Sequence, residues 1–183
     1  MQSSSEINQQ NFYLLEEAEK FMTLWNASNV TKYYAGKIGA GIKANGYKKA
    51  GSTVLYFHGP VVPGNLVKDF DLALQVGEDS FMESAGDVDD FANHSCSPNT
   101  VIVNRYHAKY GTSLWCLVAI RDIESDEPVT FDYSSTMSGG AWSMKCECGS
   151  RECREIISDF ANLDKTRQEE ILKARCAFSG RVD

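Results

Sequence analysis

Phe91-Ala92-Asn93-His94-Ser95-Cys96-Ser97-Pro98-Asn99 reads as a polar turn holding one histidine and one cysteine. Further along the chain, Cys146-Glu147-Cys148-Gly149-Ser150-Arg151-Glu152-Cys153 sets three cysteines in a C-x-C-x4-C array. A turn at Gly149 lets those three thiolates converge on one cation, and a structural zinc asks for a closed tetrahedron of four ligands. The missing thiolate has to come from Cys96, Cys116 or Cys176. Cys116 lies in the apolar run Leu114-Trp115-Cys116-Leu117-Val118, where a free thiol behaves as a small apolar residue. Cys176 ends a helical pattern with no partner near it in sequence. The polar turn around Cys96 is the better ligand setting, although spacing by itself leaves the choice open.

Composition bounds what such a site serves. With 183 residues, 43% of them hydrophobic and 23% charged, the chain suffices for one ordinary core rather than two. Its 18 basic and 25 acidic residues leave a net charge of -7. That balance argues against a general nucleic-acid binder, which would show a basic stripe, and suits a positively charged protein partner. No stretch approaches a membrane span, and the polar start from Met1 to Gln10 is unlike a secretory leader. A soluble, intracellular protein is expected, nuclear or cytoplasmic. Its six cysteines then read as thiols or metal ligands rather than a disulfide framework.

The hydrophobic pattern places these motifs. From Asn11, a plausible cap, Leu14, Leu15, Ala18, Phe21, Met22 and Trp25 recur at helical spacing and predict an amphipathic helix whose stripe is a packing face. Between Val30 and Tyr133 short β-type runs follow: Thr53 to Phe57, Asp69 to Val76, Ser80 to Glu83, Thr100 to Tyr106, Leu114 to Ile120 and Pro128 to Tyr133. Glycine and proline breaks separate them. A Ser/Gly-rich stretch, Ser134 to Ser143, leads into the cysteine array. A last helix, capped by Asp164, is predicted to run to about Arg175 with Ile171 and Leu172 inward. His58 and His107 read as turn or surface residues without a role.

Taken in order, Phe91 to Asn99, then Asp126-Glu127-Pro128-Val129-Thr130-Phe131-Asp132-Tyr133, then the cysteine array resemble the signature segments of SET-domain lysine methyltransferases, the third being the family's post-SET zinc segment. Gly39-Ala40-Gly41 is similar to the family's early Gly-x-Gly strand. The resemblance covers roughly Val30 to Glu155. It implies a mostly β (α+β) fold of the SET type, a β-clip of small sheets with a pseudoknot-like C-terminal crossing and flanking N- and C-terminal helices. It divides the chain into a helical flank at 1–29, a SET domain at 30–135, a post-SET zinc segment at 136–155 and a helical tail at 156–183.

The resemblance also implies roles. Cys96 becomes the fourth zinc ligand beside Cys146, Cys148 and Cys153. Asn93 and His94 hold the adenosyl part of S-adenosylmethionine; Ile38, Gly39 and Ala40 contact its methionine part. Tyr133 closes the lysine channel against the cofactor, and Phe131 stands where members vary between Phe and Tyr. The expected reaction is methyl transfer to a lysine of a basic protein, to di- or trimethyl product, with no direct contact to nucleic acid or membrane. Trp142 is expected either to cover the adenine or channel mouth or simply to pack.

Two departures stand out. Many members carry a second channel tyrosine on the strand before the Asn-His motif, but Asp69 to Val76 has none. Phe70 falls nearby, with Tyr106 or Tyr110 as substitutes from elsewhere. Ala40 also replaces a bulkier residue between the glycines. The missing tyrosine favours a second reading, a catalytically weak SET-like module that binds a basic segment. A zinc-ribbon nucleic-acid binder is disfavoured by the acidic charge and the single cysteine cluster.

Overall fold

The computed structural model describes residues 4–139 and 142–182. Helix α1 (Ser4–Asn29) leads into strand β1 (Val30–Tyr34), which returns antiparallel as β2 (Ala40–Ala44). Strand β3 (Thr53–Tyr56) follows, then β4 (Val61–Val62), β5 (Leu74–Gly77), β6 (Ser80–Met82) and β7 (Asn93–His94). The long hairpin β8 (Thr100–His107) and β9 (Thr112–Ala119) precedes β10 (Thr130–Phe131), β11 (Ser143–Lys145), β12 (Ile156–Ser158), helix α2 (Lys165–Phe178) and β13 (Arg181–Val182). Among the described residues the strands form five small sheets, of which the largest has the order β13-β8-β9-β3 and the next β4-β6-β5.

The period-2 pattern of the central hairpin explains its burial on both faces. Ile102, Leu117 and Ala119 point into one core with Ile42, Val54, Leu55 and Val129. Val101, Val103, Cys116 and Val118 point into a second core, closed by Ala18 and Met22 of α1. Cys116 is the buried thiol expected of it: fully covered, with burial pushing its pKa up to about 12.

Residues 126–131 cross between β2 and the Asn-His turn. On one side the Ala44 amide donates to the Glu127 carbonyl at 2.9 Å, and the Val129 amide to Ile42 at 2.9 Å. On the other, β10 runs parallel to β7, pairing Thr130 with Asn93 and Phe131 with His94. Asn99 locks the crossing, its Nδ2 donating to Pro128 O at 2.8 Å and its Oδ1 accepting from Thr130 N at 3.0 Å.

Several expected boundaries move. The first helix begins at Ser4, so Asn11 lies inside it and is no cap; Leu15 is exposed. Asp69 to Asp71 form a turn, because the Asp69 carboxylate accepts the Asp71 amide at 2.9 Å, and only Leu74–Gly77 is strand. The run Pro128 to Tyr133 is strand only at Thr130–Phe131. There Asp132 accepts the Ser134 amide at 3.1 Å and opens a 3-10 turn from Tyr133 to Ser135. On α2, capped by Asp164 as expected, Ile171 is buried but Leu172 is exposed.

Candidate functional site

The Gly-x-Gly pair has two separate reasons. Gly39 has φ +81°, a left-handed conformation that a side chain disfavours. Gly41 gives room: a Cβ there would stand 2.8 Å from Asn93 Nδ2, the atom that donates to the Ala40 carbonyl at 2.7 Å. The glycines therefore let Asn93 fasten β7 onto β2.

His94 joins the next pieces. Its Nδ1 accepts the Tyr133 amide at 3.1 Å, so the ring proton sits on Nε2, 3.3 Å from Cys96 Sγ. Burial brings its pKa down to about 4, against the pull of Asp132, and the ring is neutral at pH 7. Tyr133 donates its hydroxyl to the Ala92 carbonyl at 3.0 Å, and burial pushes its pKa up to about 12. Its ring lies 5.0 Å from Phe131, which meets Phe57 at 5.8 Å. Phe131 and Tyr133 are therefore neighbours through a turn, not alternate residues of one strand.

The cysteine array folds back onto this turn. Cys96, Cys146, Cys148 and Cys153 share one cluster with Ile157 and Trp142. Cys96 Sγ and Cys146 Sγ are 3.7 Å apart. A disulfide would bring them to about 2.05 Å. A tetrahedron with zinc–sulfur bonds near 2.3 Å has an edge of about 3.8 Å. Backbone amides are aimed at the sulfurs, Arg154 N to Cys96 at 3.3 Å and Glu155 N to Cys153 at 3.4 Å, as suits thiolates. Burial raises the Cys96 and Cys146 pKa values. At Cys148 hydrogen bonds from backbone and neighbouring thiols outweigh burial and bring it down to about 7. His94, Cys96, Cys146 and Cys148 offer ligand atoms within 4.8 Å of one another. The His94 tautomer makes Nε2 a donor to Cys96, and Cys153 lies in the same cluster as the other three cysteines. The donor set fits a zinc ion with all four positions filled.

Two cavities flank Tyr133. One, of 300 Å³, is lined by Ile38, Asn93, His94 and Cys148, together with Lys37, Lys145 and Glu147. Gly39 and Ala40 are not among its lining residues. The other, of 390 Å³, takes Phe57, Phe131, Trp142 and Phe70 with His58, Glu83, Asp89 and Asp90. Tyr133 and Met144 belong to both. Among the described residues Tyr133 is the one tyrosine in these walls. Tyr110 packs on Phe21 and His107 in the α1 core, and neither it nor Tyr106 lines these cavities; Phe70 lines the second. Trp142 lines the second cavity and packs on the cysteine cluster.

Sequence reasoning missed the acidic wall and His58. Both His58 and His107 are buried, contrary to expectation. The His58 ring stands between two carboxylates, Nδ1 3.4 Å from Asp89 and Nε2 3.5 Å from Asp87. Contact with Asp89 above all, then Asp87 and Glu19, outweighs burial and raises its pKa.

A β-clip of small sheets, threaded by its own later chain and closed by a cysteine-bound loop, defines a class. The family profile for the SET domain matches residues 3–134, and the chain belongs to that family. It is 39% identical over 77 residues to the histone-lysine N-methyltransferase, H3 lysine-9 specific KMT1 of Fusarium mangiferae, across 37% of this chain and 22% of that protein. It is 36% identical over 72 residues to the histone-lysine N-methyltransferase ASHR3 of Arabidopsis thaliana, across 39% of this chain and 14% of that protein. The chain thus spans less than a quarter of these relatives. Among solved structures, KRYPTONITE in complex with mCHG DNA and SAH shares the fold, with a TM-score of 0.59 at 23% identity over 70% of this chain and 29% of that one.

Proposed function

We propose that the chain transfers a methyl group from S-adenosylmethionine to the ε-amine of a lysine in a basic protein, a histone or another, and that its four cysteines hold a structural zinc. One observation carries this reading: Tyr133 stands in the common wall of two cavities, so that two substrates would meet across it. In-line transfer needs that arrangement. The relatives named histone-lysine N-methyltransferases support it, as does a KRYPTONITE structure holding an H3(1-15) peptide and SAH. The net charge of -7 favours a basic protein over direct contact with nucleic acid. Among the described residues no helix is long and apolar enough to cross a membrane. The division at residues 29, 135 and 155 is part of the same reading.

The donor, when bound, supplies a methyl group activated by a sulfonium. Asn93, His94 and Ile38 line its cavity, with Gly39 and Ala40 following Ile38 in the chain. On the other side, Glu83 and Asp90 give the wall an acidic character that suits an ammonium, while Phe57 and Phe131 strip its water. A free lysine amine has a pKa near 10.4 and attacks only when neutral. An apolar channel beside a cation lowers that value, and the proton leaves to water. The Tyr133 hydroxyl stays protonated and donates to Ala92, which leaves its oxygen lone pairs to orient the amine and the methyl hydrogens. Cys96, Cys146, Cys148 and Cys153 would hold the zinc, whose part would be to tie the cysteine array to the Cys96 turn rather than to activate water.

Phe131 has no hydroxyl to hold a water beside the amine, so the channel admits a lysine already methylated. Mass spectrometry of a modified peptide should show di- or trimethyl lysine, and Phe131→Tyr should shift the product towards monomethyl. The activity itself is tested with tritiated S-adenosylmethionine on histones and on cell lysate, where label should appear on lysine of a basic protein. A zinc-loaded chain that binds a basic peptide and transfers no label would be the binding module instead.

A further inference from the structure

Asp132, 4% exposed, sits between Phe131 and Tyr133 and gathers cations from two later segments. Arg154, next to Cys153, grips it with both ends of its fork at 2.7 and 2.8 Å. Arg167, from the first turn of α2, reaches the same carboxylate at 3.2 and 3.0 Å. The Arg167 Nη2 also donates to the Cys96 carbonyl at 3.1 Å. One guanidinium on a helix outside the matched SET span therefore holds two backbone points, the turn that carries Tyr133 and the residue that carries a ligand sulfur.

Packing elsewhere along this seam is open. A cavity of 420 Å³, lined by Cys96, Pro98, Val101, Asp132 and Ile171, separates the start of α2 from the Cys96 turn. Arg167 lines that gap, and further along the helix Arg175 donates to Ser135 O at 3.1 Å. Ala174 and Phe178 pack the later turns of α2 on the second core, while at its start the charged fork registers the helix against the site.

We infer that Arg167 is a positioning residue: it sets the Tyr133 turn and the Cys96 turn relative to each other, and so links the C-terminal helix to both methyl transfer and metal retention. Its removal does not strand a charge, because Asp132 keeps the bidentate Arg154 pair. The fold should therefore survive. A lysine cannot replace it, since one ammonium on a flexible stem does not bridge carboxylate and carbonyl with fixed geometry.

The inference rests on the proposed function for its catalytic half only, and the experiment separates the halves. Zinc-loaded full chain is compared with Arg167→Gln, Arg167→Lys and, as a control on an exposed partner, Glu170→Gln. Zinc release to a chromogenic chelator should be about tenfold faster in both Arg167 variants, the usual scale for losing an outer-shell contact. Their kcat should fall by about tenfold with little change in the KM for peptide. Glu170→Gln should match the wild type. Arg167 variants that release zinc at the wild-type rate overturn the inference, as does a release rate that merely tracks a lowered melting temperature. Faster release in a chain with no transferase activity sinks the enzyme reading and leaves the metal-loop role standing; a chain that purifies without zinc overturns both.

Discussion

Two clusters centred on histidine lie near Tyr133, and they solve opposite problems. At Cys96 the imidazole of His94 is neutral, its Nδ1 taken by a backbone amide, and four sulfurs crowd together with amides pointing at them. At Asp89 the carboxylates around His58 raise its pKa, each ring nitrogen facing a different one. Both clusters bring potential ligands within 4.8 Å. In the first, His94 Nε2 turns its proton towards Cys96; in the second, the buried atoms that face one another, His58 Nδ1, Asp87 Oδ2 and Asp89 Oδ1, make no hydrogen bond. The lesson is that the direction of lone pairs and protons, more than proximity, decides what a buried polar cluster is for.

The largest effect that tests this contrast comes from metal removal. A strong chelator, or Cys148→Ser, should abolish methyl transfer, since structural zinc contributes on the order of 10 kcal/mol to the segment it folds. Near-ultraviolet circular dichroism should lose the Trp142 environment while the far-ultraviolet signal of the β8–β9 sheet persists. Metal analysis of the untreated protein should find zinc.

His58→Ala is the next in size. It leaves Asp89 buried without its ring partner and should cost about 3 kcal/mol in a urea melt. The loss should be the same with or without chelator. Sensitivity of this difference to added divalent metal would make the two clusters alike and end the comparison.

A smaller, graded effect is expected with pH. The unfolded His58 titrates near 6.5, and the folded value lies above it. The folded state then binds the extra proton between the two values, so the stabilisation is whole below pH 6.5 and is lost as pH rises through the folded pKa. The urea midpoint of the wild type should fall over that alkaline window, and that of His58→Gln should not. A flat wild-type profile would mean that the ring is neutral in the fold.

Features set by local chemistry were legible from residues alone. The cysteine spacing, the Asp164 cap and the alternation of β8 and β9 each depend on a few adjacent side chains, and the structure keeps them. The apolar alternation of Asp69 to Val76 misled because a single side-chain hydrogen bond, Asp69 to the Asp71 amide, outcompetes strand pairing there. Pro128 to Tyr133 failed as one strand for the same reason at Asp132. The Arg154–Asp132–Arg167 network and the His58 cluster were invisible because their members come from distant segments with no period linking them. Nor does any spacing mark Lys37, Lys145 and Glu147 as neighbours of Asn93; β11 is placed there by its pairing with β12.

Asn26 on α1 is completely buried, and its amide meets one residue of β3 twice, donating to Tyr56 O at 2.8 Å and accepting from Tyr56 N at 2.8 Å. Strand β3 is the last of its sheet, with bonding groups turned outward beyond β9. A lone side chain thus imitates the next strand and occupies the position where another copy of the chain would begin to stack. The N-terminal helix acts as a stopper on an open ladder, and Asn26→Val would be expected to convert a well-behaved protein into one that self-associates through that edge.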